Sequence, residues 1–304
     1  MELQITQIAL AQASESYRVQ VLELLARAHE TDGVEAFSEQ FVLGLTDAAL
    51  NHQHYLAMTQ HQILGLAAVA PGLEPTAELV VHPHFRSQHI ASQLAATIAP
   101  IPLWAHGDLP AAQALAKARG GTALRKLLVM QLKGASLSTV ASAIPELPAG
   151  FAVVDLPCAL DKWGREVVLA ELLKVNNEAF DWHPEQGNWS LERLERGLNL
   201  PWFDPAGLLF LVDTRAAGVF RLAGFHWTKW QPPVGEVYVV GLADAYRGQG
   251  LGRAIVNIGL HYLFKKQPEY IELYVEADNT AAVEVYKRLG FVVSQTHVLY
   301  SNPR

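Results

Sequence analysis

Residues 237–252, with the sequence VYVVGLADAYRGQGLG, decide how the chain is interpreted. The β-branched and aromatic residues at the start of this stretch favour a strand, which gives way at Gly241 to a turn and a glycine-rich bend. From Ile255 to Leu263 the apolar residues recur at the spacing of one helical stripe. Glycines at the start of a helix leave outward-facing N–H groups that bind anions, so this segment predicts a seat for a pyrophosphate.

The spacing of the loop residues separates this loop from other phosphate-binding loops. Arg247, Gly250 and Gly252 follow the pattern Arg-x-x-Gly-x-Gly, which is neither the dinucleotide pattern Gly-x-Gly-x-x-Gly nor the Walker pattern. The loop is instead similar to the coenzyme A loop of GNAT-type N-acetyltransferases. That resemblance implies an α+β fold, with a mixed central sheet flanked by helices, and acetyl-CoA as co-substrate.

Composition limits the class of protein and of partner. The chain has 304 residues, 50% hydrophobic and 17% charged, which suits a globular protein of two domains. A net charge of −7 without a basic run argues against nucleic acid as a partner. The single cysteine, Cys158, fits a reducing cytoplasm, and we expect it to be a small apolar packing residue. No signal peptide or membrane-spanning run is evident, and we expect a cytoplasmic monomer.

The first half of the chain repeats the second. Residues 85–91, FRSQHIA, align without a gap with residues 246–252, YRGQGLG. The strand-like segments 78–81 and 127–132 correspond roughly to the segments at 236 and at 296–299. Three elements in matching order predict two tandem GNAT-type domains with a period of about 160 residues.

The two copies differ at the loop glycines. Ser87, His89 and Ala91 replace the glycines of the second copy, and side chains there would crowd a pyrophosphate and disfavour positive φ. We therefore expect the first domain to bind cofactor weakly or not at all, and the second to carry the activity. The predicted domains are 1–140 and 150–304, joined by a linker over 134–150 in which Ser, Ala and Pro cluster.

Local patterns place the other elements of the second domain. Strands are predicted at 207–213, 219–229, 237–241 and 271–276, and a helix at 167–180. Asn279 is predicted to cap a further helix that carries Tyr286 on its apolar face and ends at Gly290.

Acetyl transfer to an amine needs a base for the amine, stabilisation of the oxyanion and a proton for the departing sulfur. Glu236 opens the strand that leads to the loop, on the face predicted to hold Tyr238 and Val240, and is a candidate base, directly or through water; a solvated or salt-bridged glutamate is the alternative. Tyr286 is a candidate acid, or simply a core tyrosine. Backbone N–H groups near Leu242 are candidates for the oxyanion site.

Histidines suggest no metal site. His82, His84 and His89 cluster around a proline, but no carboxylate or cysteine is spaced to complete a coordination shell, so we expect loop histidines and no metal. Glu185 lies in a predicted loop, where it either binds a cationic or hydroxylated ligand or is merely exposed.

Beyond the loop, the chain resembles the mycothiol synthases, an actinobacterial family of two tandem GNAT domains. The matching segments run in the family's order over nearly the whole chain. They are AELVVHP at 77–83, WAHG at 104–107, VNNEAF at 175–180, HPEQG at 183–187, WFDP at 202–205, GFHWTK at 224–229, GEVYV at 235–239, LYVE at 273–276 and DN at 278–279. HPEQG and GFHWTK are not general GNAT features.

The resemblance implies transfer of acetyl from acetyl-CoA to the cysteinyl amine of cysteinyl-glucosaminyl-inositol, the last step in making mycothiol. By position, Glu236 matches the family's general base and Tyr286 its general acid. The family's first domain also holds acetyl-CoA without catalysis, at positions matched here by Leu79, Val80 and Val81. The implied substrate-binding residues are Glu39, Glu185, Lys229, Glu236 and Tyr274, and the implied acetyl-CoA residues of the second domain are Val240, Gly241, Leu242, Arg247, Gly248, Gln249, Gly250, Leu251, Gly252, Arg253, Asn279, Thr280, Ala281, Ala282, Val283 and Glu284.

Two alternatives stay open at this point. One is a GNAT enzyme that acts on another small amine, such as an aminoglycoside or a peptide. The other is a non-catalytic acyl-CoA-binding regulator, which could dispense with Glu236 and Tyr286, whereas this chain has both.

Overall fold

The computed structural model describes residues 3–60, 62–143, 146–181, 186–215 and 218–304. The chain forms two compact units that are interleaved in sequence. Unit 1 comprises Met1–Leu128, Glu276–Asp278 and Gln295–Arg304, and unit 2 comprises Val129–Val275 and Asn279–Ser294. The last ten residues therefore belong with the first half of the chain. The domain limits expected from the sequence place these residues in the second domain instead.

Unit 1 is a mixed sheet with helices on both faces. Leu66 and Val80 pack in the core with the first helices, whereas Leu64 and Val81 pack on the other face with Ile90. The strands are β1 (Gln4–Ile8), β2 (Gln53–Met58), β3 (Ile63–Ala70), β4 (Thr76–Val81), β5 (Leu103–Ala105), the first part of β6 (Ala123–Lys133) and the last part of β12 (Val292–Tyr300), and the helices are α1 (Glu15–Asp32), α2 (Glu39–Gly44), α3 (Ile90–Ile98) and α4 (Pro110–Ala118).

The strand order in unit 1 runs β1-β2-β3-β4-β5 and then the end of β12. Neighbours are antiparallel except β4 and β5, which are parallel. The parallel pair is short, with Ala77 opposite Leu103 and Glu78 opposite Trp104.

Unit 2 repeats this plan. Helices pack on both faces of its sheet: an added Cβ at Gly235 would meet Leu263, and one at Gly241 would meet Ala179. The strands, in spatial order, are the last part of β6, then β11 (Tyr270–Glu276), β10 (Val234–Leu242), β9 (Leu222–Gln231), β8 (Leu208–Asp213) and β7 (Phe151–Asp155), and the helices are α5 (Gly134–Ala141), α6 (Leu156–Trp163), α7 (Arg165–Ala179), α8 (Leu191–Leu198), α9 (Leu251–Phe264) and α10 (Thr280–Arg288).

The predicted duplication is confirmed by the element order. In unit 1, β4 leads through a short 3-10 turn to α3, then β5 and α4; in unit 2, β10 leads through a matching turn to α9, then β11 and α10. The predicted strands and helices of the second domain are each observed within a few residues. The segment predicted as linker differs, since its first half forms α5, with Leu137 and Ala141 buried. In the described residues no helix has the length and apolar character to cross a membrane.

Candidate functional site

The glycine-rich loop of unit 2 joins β10 to α9 and leaves its outer side open. Gly248 and Gly250 have φ angles of 73° and 77°, in the left-handed region that favours glycine, and Gly250 is the N-cap of α9. A Cβ added at either residue, or at Gly252, would have no heavy atom within 4 Å. Arg247 Nη2 donates a 2.9 Å hydrogen bond to the backbone carbonyl of Glu178. The loop thus provides an unobstructed helix N-terminus of the kind that a pyrophosphate occupies.

Strand β10 leaves β11 as it approaches this loop. The parallel ladder runs from Val234 opposite Tyr270 to Val237 opposite Leu273. Beyond it, β10 stays paired with β9 as far as Leu242, but within the described ranges it has no further pairing with β11. The edge of β10 over residues 238–242 can therefore bond the amides of an extended ligand.

A β-bulge changes which face the end of β10 presents. A register slip against β9 makes Tyr238 the extra residue. Val240 then pairs with His226, whose ring bonds the Ile255 carbonyl of α9. Glu236, before the bulge, lies on the face opposite to α9. The expectation that Glu236 and Val240 share a face is wrong, because the bulge inverts the alternation.

Glu236 forms an ion pair with Lys229, its register partner on β9. Lys229 Nζ lies 3.6 Å from Glu236 Oε2, and the side chains are only 11% and 15% exposed. A cation at this distance in a partly desolvated place stabilises the ionised carboxylate. Glu236 is therefore not a solvated strand-end glutamate, and it forms the salt bridge that the sequence left open as an alternative to the base role.

Aromatic rings that the sequence interpretation did not single out surround this pair. The Lys229 ammonium lies 5.0 Å from the ring centroid of Trp202 and 5.8 Å from that of Tyr238. Tyr238 in turn contacts Trp202 at 4.7 Å and Trp227 at 5.7 Å between centroids. These rings are distant in sequence, so no local pattern brings them together. Only the family segments that contain the two tryptophans pointed to them.

Tyr286 lies on the buried face of α10. The predicted cap is confirmed, since Asn279 Oδ1 accepts a hydrogen bond from the Ala282 N–H at 3.2 Å. Tyr286 is 8% exposed and its ring centroid lies 5.8 Å from that of Phe291. Burial raises the pKa of Tyr286 to about 12, so the phenol is protonated at neutral pH, as an ordinary tyrosine is.

The other predicted site residues fall in several places. Lys229, Glu236 and the exposed Tyr274 lie on neighbouring strands of unit 2. Glu39 is the first residue of α2 in unit 1, and Glu185 lies outside the described residues. The predicted acetyl-CoA segments are the end of β10 (240–242), the loop with the first turn of α9 (247–253), and Asn279 with the first half of α10 (280–284).

Unit 1 reproduces the loop conformation without the glycines. Ser87 and His89 both have φ of 62°, at the positions of Gly248 and Gly250, and His89 is the N-cap of α3. Side chains at these positions were expected to disfavour positive φ. Both residues nevertheless adopt it, and we attribute this to the strand and the helix that flank the loop. Both side chains are exposed.

A cavity of about 420 Å³ lies beside the unit 1 loop. It extends from the loop to the end of β4, where β4 and β5 stop pairing. Its lining includes Leu79, Val80, Val81, Ser87, His89 and Ala91.

The buried carboxylate of unit 1 is fully engaged. Glu78 is 1% exposed, its Oε2 accepts the Ser38 N–H at 2.8 Å, and its Oε1 lies 2.9 Å from His106 Nε2. Burial lowers the pKa of His106, but the Glu78 carboxylate outweighs burial and the pKa is raised overall. Glu78 and His106 thus form a closed ion pair.

Two other features singled out in the sequence, Cys158 and the histidines around Pro83, have local contacts in the structure. Cys158 was expected in the core but is exposed on α6, where its N–H bonds the capping Asp155. His82 stabilises its own turn, since its Nδ1 accepts the His84 N–H at 3.2 Å. In the part of the chain that the structure describes, no three His, Cys, Asp or Glu side chains converge for a metal ion.

The chain is similar to known GNAT proteins in sequence and in fold. Residues 172–291 match the model of the acetyltransferase (GNAT) family. The chain is 45% identical over 288 residues to a protein named mycothiol acetyltransferase from Corynebacterium aurimucosum, covering 92% of this chain and 93% of that one. It is 44% identical to the protein of that name from Corynebacterium efficiens, covering 93% and 92%. A tandem GNAT protein from the clavulanic acid pathway has a similar fold, with a TM-score of 0.72 at 20% identity over 98% and 97% of the two chains.

Proposed function

The chain belongs to the mycothiol acetyltransferase family of GNAT enzymes, and we propose that it transfers acetyl from acetyl-CoA to the cysteinyl amine of cysteinyl-glucosaminyl-inositol. This is the last step in making mycothiol. The chain is an acetyl-CoA-dependent N-acetyltransferase; the identity of its acceptor is the proposal.

The observation that carries the proposal is Glu236, paired with Lys229, on the strand that leads into the open glycine loop. A loop that seats the pyrophosphate fixes where the cofactor's arm runs, along the unpaired edge of β10. Glu236 lies on that same strand, held by Lys229 at 3.6 Å. A carboxylate so placed suits an acceptor that arrives as an ammonium and must lose a proton before it reacts.

Two side chains move protons in the proposed reaction. Glu236 accepts the proton of the ammonium, directly or through a water. The amine nitrogen then forms a bond to the acetyl carbonyl carbon while the carbon–sulfur bond breaks. Tyr286, whose pKa burial raises to about 12, donates its phenolic proton to the departing sulfur. The nitrogen loses its second proton to solvent as the amide forms, and solvent returns a proton to the Tyr286 oxygen. Backbone N–H groups near Leu242 stabilise the carbonyl oxygen as its negative charge develops.

Residues of the second unit are proposed to hold acetyl-CoA in three stretches. Residues 240–242 bond the pantetheine amides, 247–253 bind the pyrophosphate, and 279–284 border the cofactor from α10. The open space at Gly248, Gly250 and Gly252 fits this role, since side chains there would occupy the pyrophosphate seat.

Residues that contact the acceptor are proposed by family position. Glu39, Glu185, Lys229 and Tyr274 contact the pseudodisaccharide, and Glu236 lies near its amine. Their hydrogen-bonding side chains suit a neutral sugar–inositol. Unit 1 is proposed to keep a second acetyl-CoA seat at Leu79, Val80 and Val81, supported by the left-handed residues of its loop and by the adjacent cavity.

We further propose that the enzyme works as a cytoplasmic monomer. The single cysteine supports a location in the reducing cytoplasm. Sedimentation of the purified chain would establish the oligomeric state.

The acceptor is tested by offering the purified chain acetyl-CoA with cysteinyl-glucosaminyl-inositol, an aminoglycoside or a small peptide amine, and following N-acetylated products by mass spectrometry. We expect kcat/KM for the first acceptor to exceed that for the others by at least about 100-fold. Preference for another amine would replace the acceptor but leave the enzyme class. Acetyl-CoA binding without any product would instead favour the alternative of a non-catalytic acyl-CoA-binding regulator.

A further inference from the structure

A row of polar side chains crosses four strands of unit 2. Lys229 on β9 is the register partner of Glu236 on β10, and Glu236 is the register partner of Glu272 on β11. Glu272 Oε2 accepts a 3.2 Å hydrogen bond from Gln131 Nε2 on β6. Register partners project from the same face of a sheet, so all four side chains lie on the face opposite to α9. We call these four residues the polar row.

Neither the sequence interpretation nor the family positions assign a function to Glu272. The family segment begins one residue later, at Leu273. Glu272 is half-buried, and its neighbour toward β6 is the neutral amide of Gln131. Among the ion pairs of the described residues, none gives Glu272 a cation.

The charges of the polar row favour a cationic ligand only because Glu272 is present. Lys229 and Glu236 neutralise each other at 3.6 Å. An ammonium that approaches Glu236 therefore meets the positive charge of Lys229 as well. Adjacent strands lie about 4.8 Å apart, so Glu272 places a second carboxylate within reach of the same ammonium. With Glu272 the row has a net charge of −1, which attracts the charged acceptor.

We propose that Glu272 binds the ammonium of the acceptor beside Glu236, and that Gln131 positions the Glu272 carboxylate for this contact. The assignment rests on the proposed function, because it names how that site recognises a charged amine. Glu272 holds the ammonium on the side away from Lys229, while Glu236 takes the proton. The acceptor is thereby selected as an amine and not as an alcohol of the same shape.

The test compares Glu272→Gln with Glu269→Gln, an exposed glutamate just before the same strand. For each variant, KM and kcat are measured with cysteinyl-glucosaminyl-inositol. The inhibition constant is measured for an analogue that has a hydroxyl in place of the cysteinyl amine. For Glu272→Gln we expect KM to rise about 10-fold, the effect of one lost charge-assisted hydrogen bond, with kcat changed less than about 3-fold. The hydroxyl analogue should bind equally well, and Glu269→Gln should behave as wild type.

The hydroxyl analogue separates charge recognition from structural damage. If Glu272→Gln weakens the amine and the hydroxyl analogue to the same extent, or leaves KM unchanged, the proposal is wrong. Glu272→Asp guards against a misfolded glutamine variant, since it retains the charge and should recover most of the KM; no recovery would also overturn the proposal. A wild-type enzyme that does not acetylate the amine refutes the proposed function, a result distinct from any change between variants.

Discussion

The two loops that follow β4 and β10 have one backbone and two sets of side chains. Ser87 and His89 adopt φ of 62°, close to the 73° and 77° of Gly248 and Gly250. A left-handed residue with a side chain is less stable than glycine by roughly 1–2 kcal/mol. The surrounding strand and helix overcome this strain in unit 1. Loop conformation is thus a property of the fold, and in unit 1 the side chains of Ser87 and His89 border the adjoining cavity where unit 2 has glycines.

The two units also differ in a carboxylate on corresponding strands, Glu78 in unit 1 and Glu236 in unit 2. Both oxygens of Glu78 are occupied, by Ser38 and by His106. Glu236 has its cation at the longer distance of 3.6 Å and is 15% exposed. A carboxylate that is only 1% exposed and bonded inside the unit is not accessible to a substrate. Glu78 therefore has a structural role, and Glu236 is the carboxylate that we propose as the base.

The largest expected effect is on cofactor binding at the unit 2 loop. Gly250→Glu should abolish acetyl-CoA binding there, since it places a carboxylate in the open space where we propose that the pyrophosphate binds. Gly250→Gln has the same size and the same strained backbone without the charge, and should retain part of the affinity. Calorimetry with acetyl-CoA measures both variants. Wild-type affinity in Gly250→Glu would show that the pyrophosphate lies elsewhere.

Acid should affect unit 1 more than unit 2. Burial lowers the pKa of His54 to about 4 and of His297 to about 3 in unit 1, and of His226 to about 4 in unit 2. Each group binds protons more readily when unfolded, with a pKa of 6.5, so its stabilisation is present above pH 6.5 and is lost as the pH falls toward its folded pKa. For the fully buried His226 the loss is on the order of 3 kcal/mol.

His106 acts in the opposite direction, because its raised pKa stabilises unit 1 at low pH and that contribution is lost as the pH rises. In acid, His106 thereby offsets part of the stability that unit 1 loses at His54 and His297. Hydrogen exchange at pH 7 and pH 4.5 can separate the units. We expect β3 to lose more protection than β9 on acidification. Equal losses in the two strands would show that the buried histidines do not set the difference.

Replacing the two carboxylates should have different consequences. Glu236→Gln should lower kcat on the order of 100-fold with acetyl-CoA affinity retained, the usual contribution of a general base. Glu78→Gln should leave kcat within about 2-fold, because in our assignment it contacts no substrate, and should instead lower the thermal midpoint. Steady-state kinetics and calorimetry of both variants give the comparison. A pH–rate profile that is the same in Glu236→Gln as in the wild type would remove the base assignment.

Particular residues show how far the sequence could predict the structure. Strand alternation, the Asn279 cap and the glycine loop are local patterns, and each was predicted correctly. The bulge at Tyr238 is not evident from a local pattern, and it inverts the face of Val240. Burial is also set by distant contacts, which is why Cys158 was placed wrongly. The site residues stay a proposal that rests on chemistry and family position, and Glu272 became visible only through strand register.

The smallest effect tests the loop comparison directly, by exchanging residues between the two units. Ser87→Gly and His89→Gly should each raise the free energy of unfolding by about 0.5–1 kcal/mol, because relief of left-handed strain exceeds the entropy that glycine adds to the unfolded chain. Gly248→Ser and Gly250→His should lower it by a similar amount. All four variants should fold, since the flanking strand and helix impose the loop. Chemical denaturation measures the stability changes, and calorimetry with acetyl-CoA tests whether His89→Gly with Ala91→Gly strengthens binding at unit 1. If the glycine variants of unit 1 gain neither stability nor affinity for acetyl-CoA, the side chains in that loop do not cause the difference between the two units.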